Sequence, residues 1–147
     1  MKHRRVISVF GALFAVLFVF LLLSAYQSEG PRVRIGSALF SVDIVDEGED
    51  LERGLGGRDS ICKTCGMLFL FDHADQYAFW MKDMRFPLDI LWIRNGKIVH
   101  IEQNVDFHNQ RRVYRPNQLA DRVLEVNAGS CQIWNIREGD SVSFEEL

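Results

Sequence analysis

Apolar and polar residues alternate in short runs along most of this chain, and this pattern is typical of β-strands. The predicted strands occupy residues 32–35, 39–45, 67–71, 77–82, 88–93, 97–103, 123–127 and 141–144. Two short helices are predicted, one over 47–55, which the Gly56-Gly57 pair ends, and one over 131–135, which Ser130 can cap. The pattern indicates a β-rich α+β domain, a small partly closed mixed β-barrel with two short helices.

The N-terminal segment breaks this pattern. Val6 to Ala25 is a run of twenty residues without a charge. Twenty helical residues at about 1.5 Å each match the roughly 30 Å hydrocarbon core of a bilayer. A cleavable secretory signal is the competing interpretation, but its apolar region usually runs about 7–15 residues and ends at small residues, which are poorly placed here. Lys2, Arg4 and Arg5 precede the run, which favours an N-terminus in the cytoplasm.

These features predict four segments along the chain. They are a cytoplasmic tail over 1–5, a transmembrane signal-anchor helix over 6–26, a linker over 27–31 and an extracytoplasmic globular domain over 32–147. We therefore expect a single-pass protein of the cytoplasmic membrane whose domain lies on the periplasmic or extracellular side. About six residues separate Ala25 from the first predicted strand, so at roughly 3.3 Å each the domain is expected within about 20 Å of the bilayer.

Charge narrows the choice of partners. Residues 27–147 carry 14 of the 17 Lys and Arg residues and all 20 Asp and Glu residues, which gives a formal net charge of −6. An acidic domain lacks the basic surface that phosphate backbones require, so nucleic acid is not expected as a partner. The sequence contains no nucleophile elbow, His-Glu-x-x-His motif or phosphate-binding loop. We therefore expect no cofactor and no metal ion, and no residue is assigned as catalytic.

The Asn95-Gly96 hairpin carries the strongest local signal, because Asn-Gly between two β-rich runs is the preferred type I′ turn. The turn predicts these facing pairs: Arg94 and Lys97, Ile93 and Ile98, Trp92 and Val99, Leu91 and His100, Ile90 and Ile101, and Asp89 and Glu102. Asp89, His100 and Glu102 would then share one face. That face is either an ordinary solvated surface or a wall of a pocket. In a pocket, the clustered acids would raise the proton affinity of one of these side chains or hold a cation.

Aromatic and charged side chains also gather just before this hairpin. Trp80 and Lys82 share a face of the predicted strand 77–82, and Asp89 follows the next tight turn. These three side chains could form an aromatic floor with a charge pair at its mouth. The alternative is that Trp80 lies in the core, while Lys82 forms an ion pair with Asp89 at the end of the strand.

Five short motifs give the chain a resemblance to a known family. They are Gly66-Met67-Leu68-Phe69, Phe79-Trp80-Met81-Lys82, Pro87-Leu88-Asp89-Ile90, Leu124-Glu125-Val126-Asn127-Ala128-Gly129 and Gly139-Asp140. Over roughly 32–144 the chain resembles the prokaryotic family called domain of unknown function 192. The resemblance implies a small β-rich, barrel-like domain, often behind an export or anchor segment, without an established activity. Its motif positions imply these site residues: Trp80, Lys82, Asp89, Glu125 and Asn127. The pair His100 and Glu102 lies outside the motifs.

Cys62, Cys65 and Cys131 are not part of that family's pattern, and they allow three interpretations. A thioredoxin-like redox pair should open a helix, whereas Gly66 here leads directly into a predicted strand. A zinc site would need Cys131 and one further ligand to complete the Cys-x-x-Cys half-site. Outside the cytoplasm a structural disulfide is expected. A bond from Cys131 to Cys62 or Cys65 would close a loop of about 70 residues and stabilise the domain by about 4 kcal/mol.

Two functional hypotheses follow from the sequence. The first is a non-enzymatic binding or accessory module in which Trp80, Lys82 and Asp89 recognise a small polar ligand, such as a sugar or an envelope fragment. The second is a hydrolase that uses Asp89 with Glu125 as acid and base, or a metal-dependent enzyme with its metal at the cysteines or at His100. The absence of recognisable catalytic motifs favours the first hypothesis.

Overall fold

The computed structural model describes residues 30–146. The predicted cytoplasmic tail and the predicted transmembrane helix lie outside the described residues, as do residues 27–29 of the predicted linker. Within residues 30–146, no helix is both long enough and apolar enough to cross a membrane.

Short strands make up most of the described chain. They are β1 (Arg32–Ile35), β2 (Ala38–Val45), β3 (Cys65–Asp75), β4 (Phe79–Trp80), β5 (Leu88–Arg94), β6 (Lys97–Val105), β7 (Val113–Tyr114), β8 (Ala120–Asn127) and β9 (Val142–Glu145). The two helices in this part of the chain are α1 (Gly48–Arg53) and α2 (Ser130–Trp134). Each predicted run overlaps an observed strand or helix. β7 is an addition, because no strand was predicted between residues 103 and 123.

Seven strands form one mixed sheet in the order β6-β5-β8-β3-β2-β1-β9, and β4 pairs with β7 separately. β2 and β3 run parallel, whereas the other pairs in the large sheet are antiparallel. The two edges of the sheet meet at one end, where Lys97 bridges Ser141 and Ile98 shares backbone hydrogen bonds with Gly139 and Asp140. The fold is therefore a β-rich α+β half-barrel, which agrees with the coarse architecture predicted from the hydrophobic pattern.

Both faces of the large sheet carry buried side chains. Leu68 and Leu91 belong to a first core on one face. Phe69 and Trp92 belong to a second core, against which partly buried side chains from α1 and β4 pack. Because consecutive residues of a strand point to opposite faces, a strand that is covered on both sides reads as a continuous apolar run. This explains the sequence of β5, in which residues 88–93 are all buried.

The tight turn between β5 and β6 is present as predicted, and both of its residues have positive φ, as a type I′ turn requires. Ile93 faces Ile98 as predicted, but Trp92 faces His100 instead of Val99. Val99 is thus an extra residue in β6, a β-bulge that shifts the register of the rest of the hairpin. The predicted register beyond Ile93 is therefore wrong.

The bulge separates residues that the predicted register placed together. Glu102 faces Ile90 across the hairpin, and His100 faces Trp92. Asp89 lies between Ile90 and Leu88 on β5, so its side chain points to the opposite face of the sheet. The predicted cluster of Asp89, His100 and Glu102 on one face does not form.

Candidate binding site

A cavity of about 500 Å³ opens on the side of the sheet that carries the second core, between α1, β3 and residues 77–84. Three of the five residues that the family resemblance implies line this cavity, namely Trp80, Lys82 and Glu125. Asp89 and Asn127 do not line it. Phe69 of a further motif also lines it, so the cavity brings together residues from three separate motifs and is the candidate binding site.

Aromatic rings form much of the cavity wall. Phe71 and Tyr77 are stacked with their ring centroids 3.5 Å apart, and Phe69 meets Phe79 edge-on at 4.9 Å. The Tyr77 hydroxyl donates a hydrogen bond to the backbone carbonyl of His73 at 2.9 Å. These contacts hold the rings in fixed orientations, so the wall is formed before any ligand enters.

Trp80 and Lys82 lie at the mouth of the cavity. The Trp80 side chain is 44% exposed, which is unusual for a residue of this size. The Lys82 ammonium lies 5.3 Å from the centroid of the Trp80 ring and 3.3 Å from a carboxylate oxygen of Glu52. The predicted pair of Lys82 with Asp89 is wrong, because Glu52 of α1 is the partner of Lys82.

Glu125 forms the floor of the cavity. Its side chain is 4% exposed, and its Oε2 atom is buried without a hydrogen-bond partner among the described residues. Burial raises the pKa of Glu125 to about 8, so the side chain is a neutral carboxylic acid at pH 7. In this form it can donate one hydrogen bond and accept others.

Gly54, directly after α1, closes the cavity beside this acid. Its φ is +52°, and a Cβ atom at this position would lie 3.2 Å from the Phe69 ring and 3.5 Å from Glu125 Oε2. Glycine adopts this conformation without strain and leaves room for the close approach. The end of α1 can therefore pack directly against the floor of the cavity.

Asp89 lies on the other face of the sheet. It faces Val126 of β8, whereas its neighbour Ile90 faces Glu125, and facing residues point to the same side. Asp89 is also completely buried. The prediction that Asp89 shares a ligand site with Lys82 is thus corrected, and an acid–base pair of Asp89 with Glu125 cannot act on one substrate.

The Asp89 carboxylate instead binds backbone N–H groups. Its Oδ1 accepts hydrogen bonds from Asn104 at 2.8 Å and from Gly129 at 3.3 Å, and its Oδ2 accepts one from Cys131 at 2.8 Å. No side chain caps α2 from its own N-cap position, which Gly129 occupies in place of the predicted Ser130. Asp89 supplies this cap from a distant strand, so its role is structural.

Asn127 is also a structural residue. Its side-chain Nδ2 donates a hydrogen bond to the backbone carbonyl of Cys62 at 2.8 Å, which joins the end of β8 to the loop before β3. The predicted ligand-binding role of Asn127 is not supported, because its side chain is engaged away from the cavity.

Cys62 and Cys65 form a disulfide bond, with their Cα atoms 5.0 Å apart, and Cys131 is a buried free thiol. The predicted disulfide from Cys131 is therefore wrong, because Cys131 packs in the first core. Burial, together with the nearby charge of Asp89, raises the pKa of Cys131 well above its usual range. Within residues 30–146, no group of three or more His, Cys, Asp and Glu side chains is arranged to hold a metal ion.

Replacing both Cys62 and Cys65 with serine is expected to lower the free energy of unfolding by about 2 kcal/mol, because this crosslink closes a very short loop. The two cysteines are only three positions apart in the sequence. Urea denaturation of the oxidised protein and of the double variant measures the difference. A loss of about 4 kcal/mol or more would contradict the short pairing and indicate the long-range bond through Cys131.

His100 and Glu102 contact each other away from the cavity. The Nε2 atom of His100 lies 3.4 Å from Glu102 Oε1, and its Nδ1 atom lies 3.2 Å from Glu138 Oε1. All three side chains retain contact with solvent, and none lines the cavity. This arrangement agrees with the interpretation of an ordinary, partly solvated cluster.

Neither the aromatic wall nor Gly54 could be recognised as part of a site from the sequence motifs. A signal for the wall was present, because alternation places Phe69 and Phe71 on one face of β3 and Tyr77 and Phe79 on one face of the next predicted strand. Alternation alone cannot show that these two faces meet around a space. For Gly54 no comparable signal exists, since its role depends on what α1 packs against.

Comparisons with known proteins agree with this fold. The family model DUF192, described as "Uncharacterized ACR, COG1430", matches residues 32–144, which confirms the predicted resemblance. The crystal structure of a Sinorhizobium meliloti protein, described as a "putative transcription regulator", is similar with a TM-score of 0.73 and 28% identity, over 80% of this chain and 93% of that one. A Novosphingobium aromaticivorans protein of unknown function is similar with a TM-score of 0.70 and 25% identity, over 77% of this chain and 82% of that one. No curated protein matches the chain.

Proposed function

We propose that this chain, which belongs to the DUF192 family, is a non-enzymatic module that binds a small polar ligand, such as a sugar or an envelope fragment, in the cavity above Glu125. One observation carries this proposal, namely the buried carboxyl oxygen of Glu125 that has no hydrogen-bond partner among the described residues. Leaving such an atom unpaired costs about 1–3 kcal/mol. A ligand that forms a hydrogen bond with Glu125 would offset this cost.

The size and lining of the cavity support a small ligand. A volume of about 500 Å³ falls within the usual range of small-molecule sites. Such sites combine mostly apolar walls with a few polar groups that fix orientation. Here the rings of Phe69, Phe71 and Phe79 supply apolar surface, while Glu125 at the floor and Lys82 at the mouth supply polar contacts.

The alternative hypothesis of a hydrolase receives no comparable support. It requires Asp89 and Glu125 to act on the same substrate, but the two side chains point to opposite faces of the sheet. The Asp89 carboxylate is also occupied by three backbone donors. Binding without chemistry is therefore the proposal that fits the geometry.

We place this module at the outer face of the cytoplasmic membrane, held by the anchor predicted over 6–26. The Cys62–Cys65 disulfide supports an oxidising compartment, since such bonds persist mainly outside the cytoplasm. The short predicted linker would keep the cavity near the bilayer surface. A ligand released from or attached to the cell envelope suits this position.

The description of the Sinorhizobium meliloti relative raises regulation of transcription as another role. Charge gives this role no support here, because residues 27–147 carry 14 Lys and Arg residues against 20 Asp and Glu residues. A protein that binds DNA directly needs a basic surface for the phosphate backbone.

Binding of monosaccharides tests the proposal. We expect full-length protein in detergent to bind glucose or N-acetylglucosamine at millimolar concentrations, measured by NMR titration. Trp80→Ala is expected to weaken binding about tenfold, because it removes a ring at the mouth of the cavity. Lys82→Ala should weaken it to a similar extent.

Trp134→Ala is the matched control. Trp134 is exposed to a similar degree, 37% against 44% for Trp80, but it lies on α2 outside the cavity. The control should bind sugar like the parent protein. Equal losses in Trp80→Ala and Trp134→Ala would overturn the proposal, as would failure of the parent protein to bind glucose, N-acetylglucosamine and trans-4-aminocyclohexanol alike.

A further inference from the structure

We infer that the ligand of this cavity carries a protonated aliphatic amine, which binds between the Glu125 carboxyl group and the aromatic wall. This inference rests on the proposed function and names the chemical class of the ligand. It is carried by three features of the cavity: the unpartnered acid at the floor, the rings around it and the charges at its rim.

The acid at the floor suits an ammonium group better than a hydroxyl group. Glu125 is almost completely enclosed and has no cationic partner, since it forms no ion pair among the described residues. An ammonium group carries three donors and a charge, so it can satisfy the carboxyl oxygens and stabilise their ionised form. A hydroxyl group would add one neutral hydrogen bond.

The aromatic wall also favours a cation, because ring faces attract positive charge. The protein shows this arrangement at its own surface. The Lys82 ammonium lies 5.3 Å from the Trp80 ring centroid and 3.3 Å from Glu52. The interior of the cavity repeats these elements, with aromatic rings such as Phe69 beside the Glu125 carboxyl group.

The charges at the rim leave an excess of acid. The charged side chains that line the cavity besides Glu125 are Asp46, Glu52 and Asp72, opposed by Arg53 and Lys82. Arg53 pairs with Asp50, and Lys82 pairs with Glu52. Neither Asp46 nor Asp72 forms an ion pair with another described residue. The rim therefore attracts a cation more than an anion.

The two remaining titratable groups at the cavity are His73 and Tyr77. Burial, followed by the charges of Asp75 and Asp72, raises the pKa of Tyr77, so this phenol is neutral near pH 7. His73 is exposed on β3. Glu125 is thus the enclosed acid that can lose a proton when a cation arrives.

Binding should release one proton near pH 7. The neutral Glu125 acid gives its proton to solvent as the ammonium ion binds, and the product is a carboxylate–ammonium pair in the cavity. Because the pKa of free Glu125 is about 8, the affinity for the amine should rise about tenfold for each unit of increase in pH up to that value and level off above it.

A matched pair of ring compounds tests the inference. The probes are trans-4-aminocyclohexanol and trans-1,4-cyclohexanediol, which differ in one ammonium group against one hydroxyl group. Isothermal titration calorimetry of the full-length protein in detergent at pH 7, in two buffers with different ionisation enthalpies, gives affinity and proton release together. We expect about tenfold tighter binding of the amine, with release of about one proton.

Glu125→Gln removes the ionisable group while it keeps the shape of the side chain, so this variant should lose both the amine preference and the proton release. Glu102→Gln is the control, because Glu102 is partly buried but lies outside the cavity. It should behave like the parent protein. If Glu125→Gln does not fold, the proton release measured with the parent protein still tests the inference.

Equal affinity for the two probes, or tighter amine binding without proton release, would overturn the inference. Binding of N-acetylglucosamine but of neither ring compound would overturn it as well, while the proposed function stands. Failure of all these compounds and of glucose to bind would overturn both.

Discussion

Asp89→Ala will destabilise the domain by about 3–5 kcal/mol, because it removes the acceptor of three backbone hydrogen bonds at a completely buried position. The N–H group of Cys131 has the least access to water of the three, since that residue is 2% exposed. The first turn of α2 also loses its cap. Urea denaturation, followed by tryptophan fluorescence, measures the loss from the shift in midpoint at an unchanged slope.

Asp43→Ala is the control for this substitution. The Asp43 side chain is 60% exposed and pairs with Arg58 at 2.7 Å. An exposed ion pair of this kind contributes about 0–1 kcal/mol. A loss below about 1 kcal/mol for Asp89→Ala would contradict the structural role of Asp89, and a comparable loss in both variants would show that the assay does not report on burial.

Glu125 will make the protein less stable as the pH rises from about 5 to about 8. The unfolded chain releases this proton near pH 4.5, whereas the folded protein holds it up to about pH 8. Between these values the folded state binds more protons, so the free energy of unfolding falls with increasing pH. The contribution is fully present below about pH 4.5 and is lost as the pH passes through 8. The total loss is on the order of 5 kcal/mol.

The comparison of wild type with Glu125→Gln isolates this effect, because Gln does not titrate. The difference in unfolding free energy between the two proteins should change steeply across this pH range. Glu49→Gln on the exposed surface of α1 is the control and should leave the pH dependence of wild type unchanged. Parallel curves for wild type and Glu125→Gln would mean that Glu125 is solvated in the folded protein.

The strands could be predicted because period-2 alternation and turn residues are local signals. The Asn95-Gly96 turn is an example, since the two residues themselves require positive φ. The bulge at Val99 could not be predicted, because it depends on how β6 meets the rest of the sheet. Because this one extra residue was not recognised, the predicted register placed His100 and Glu102 on the wrong face of the sheet.

The candidate site could be predicted only in part. Trp80, Lys82 and Glu125 came from family motifs, and the structure brings them to one cavity. Asp89 came from the same source but is structural. Its partners are backbone N–H groups 15 to 42 residues away in the sequence. The pattern of side chains along the chain does not show which backbone donors a carboxylate will meet.

The disulfide illustrates a different limit of the sequence. A bond from Cys131 was considered because it would close a loop of about 70 residues, and a longer loop gives a larger entropic stabilisation. Packing prevents this bond, because Cys131 belongs to the first core. Cys62 and Cys65, which lie in the loop before β3 and at the start of β3, bond to each other instead. Loop entropy says how much a bond would stabilise the fold, but it does not say which thiols meet.

The two buried acids of the sheet have different roles, one structural and one at the candidate binding site. Asp89 and Glu125 lie on neighbouring strands, yet they face opposite cores. Backbone donors satisfy Asp89, whereas Glu125 has an unpaired oxygen beside a cavity. Burial alone therefore does not identify the functional acid, and the absence of a partner distinguishes Glu125 from Asp89.

The location of a bound ligand tests the central claim most directly. Full-length protein labelled with ¹⁵N at tryptophan has one indole signal for each of Trp80, Trp92 and Trp134, which Trp80→Ala and Trp134→Ala assign. Titration with N-acetylglucosamine should shift the Trp80 signal to saturation and leave the Trp134 signal unchanged. A saturable shift of Trp134 with no change at Trp80 would place the ligand on α2 and contradict the account.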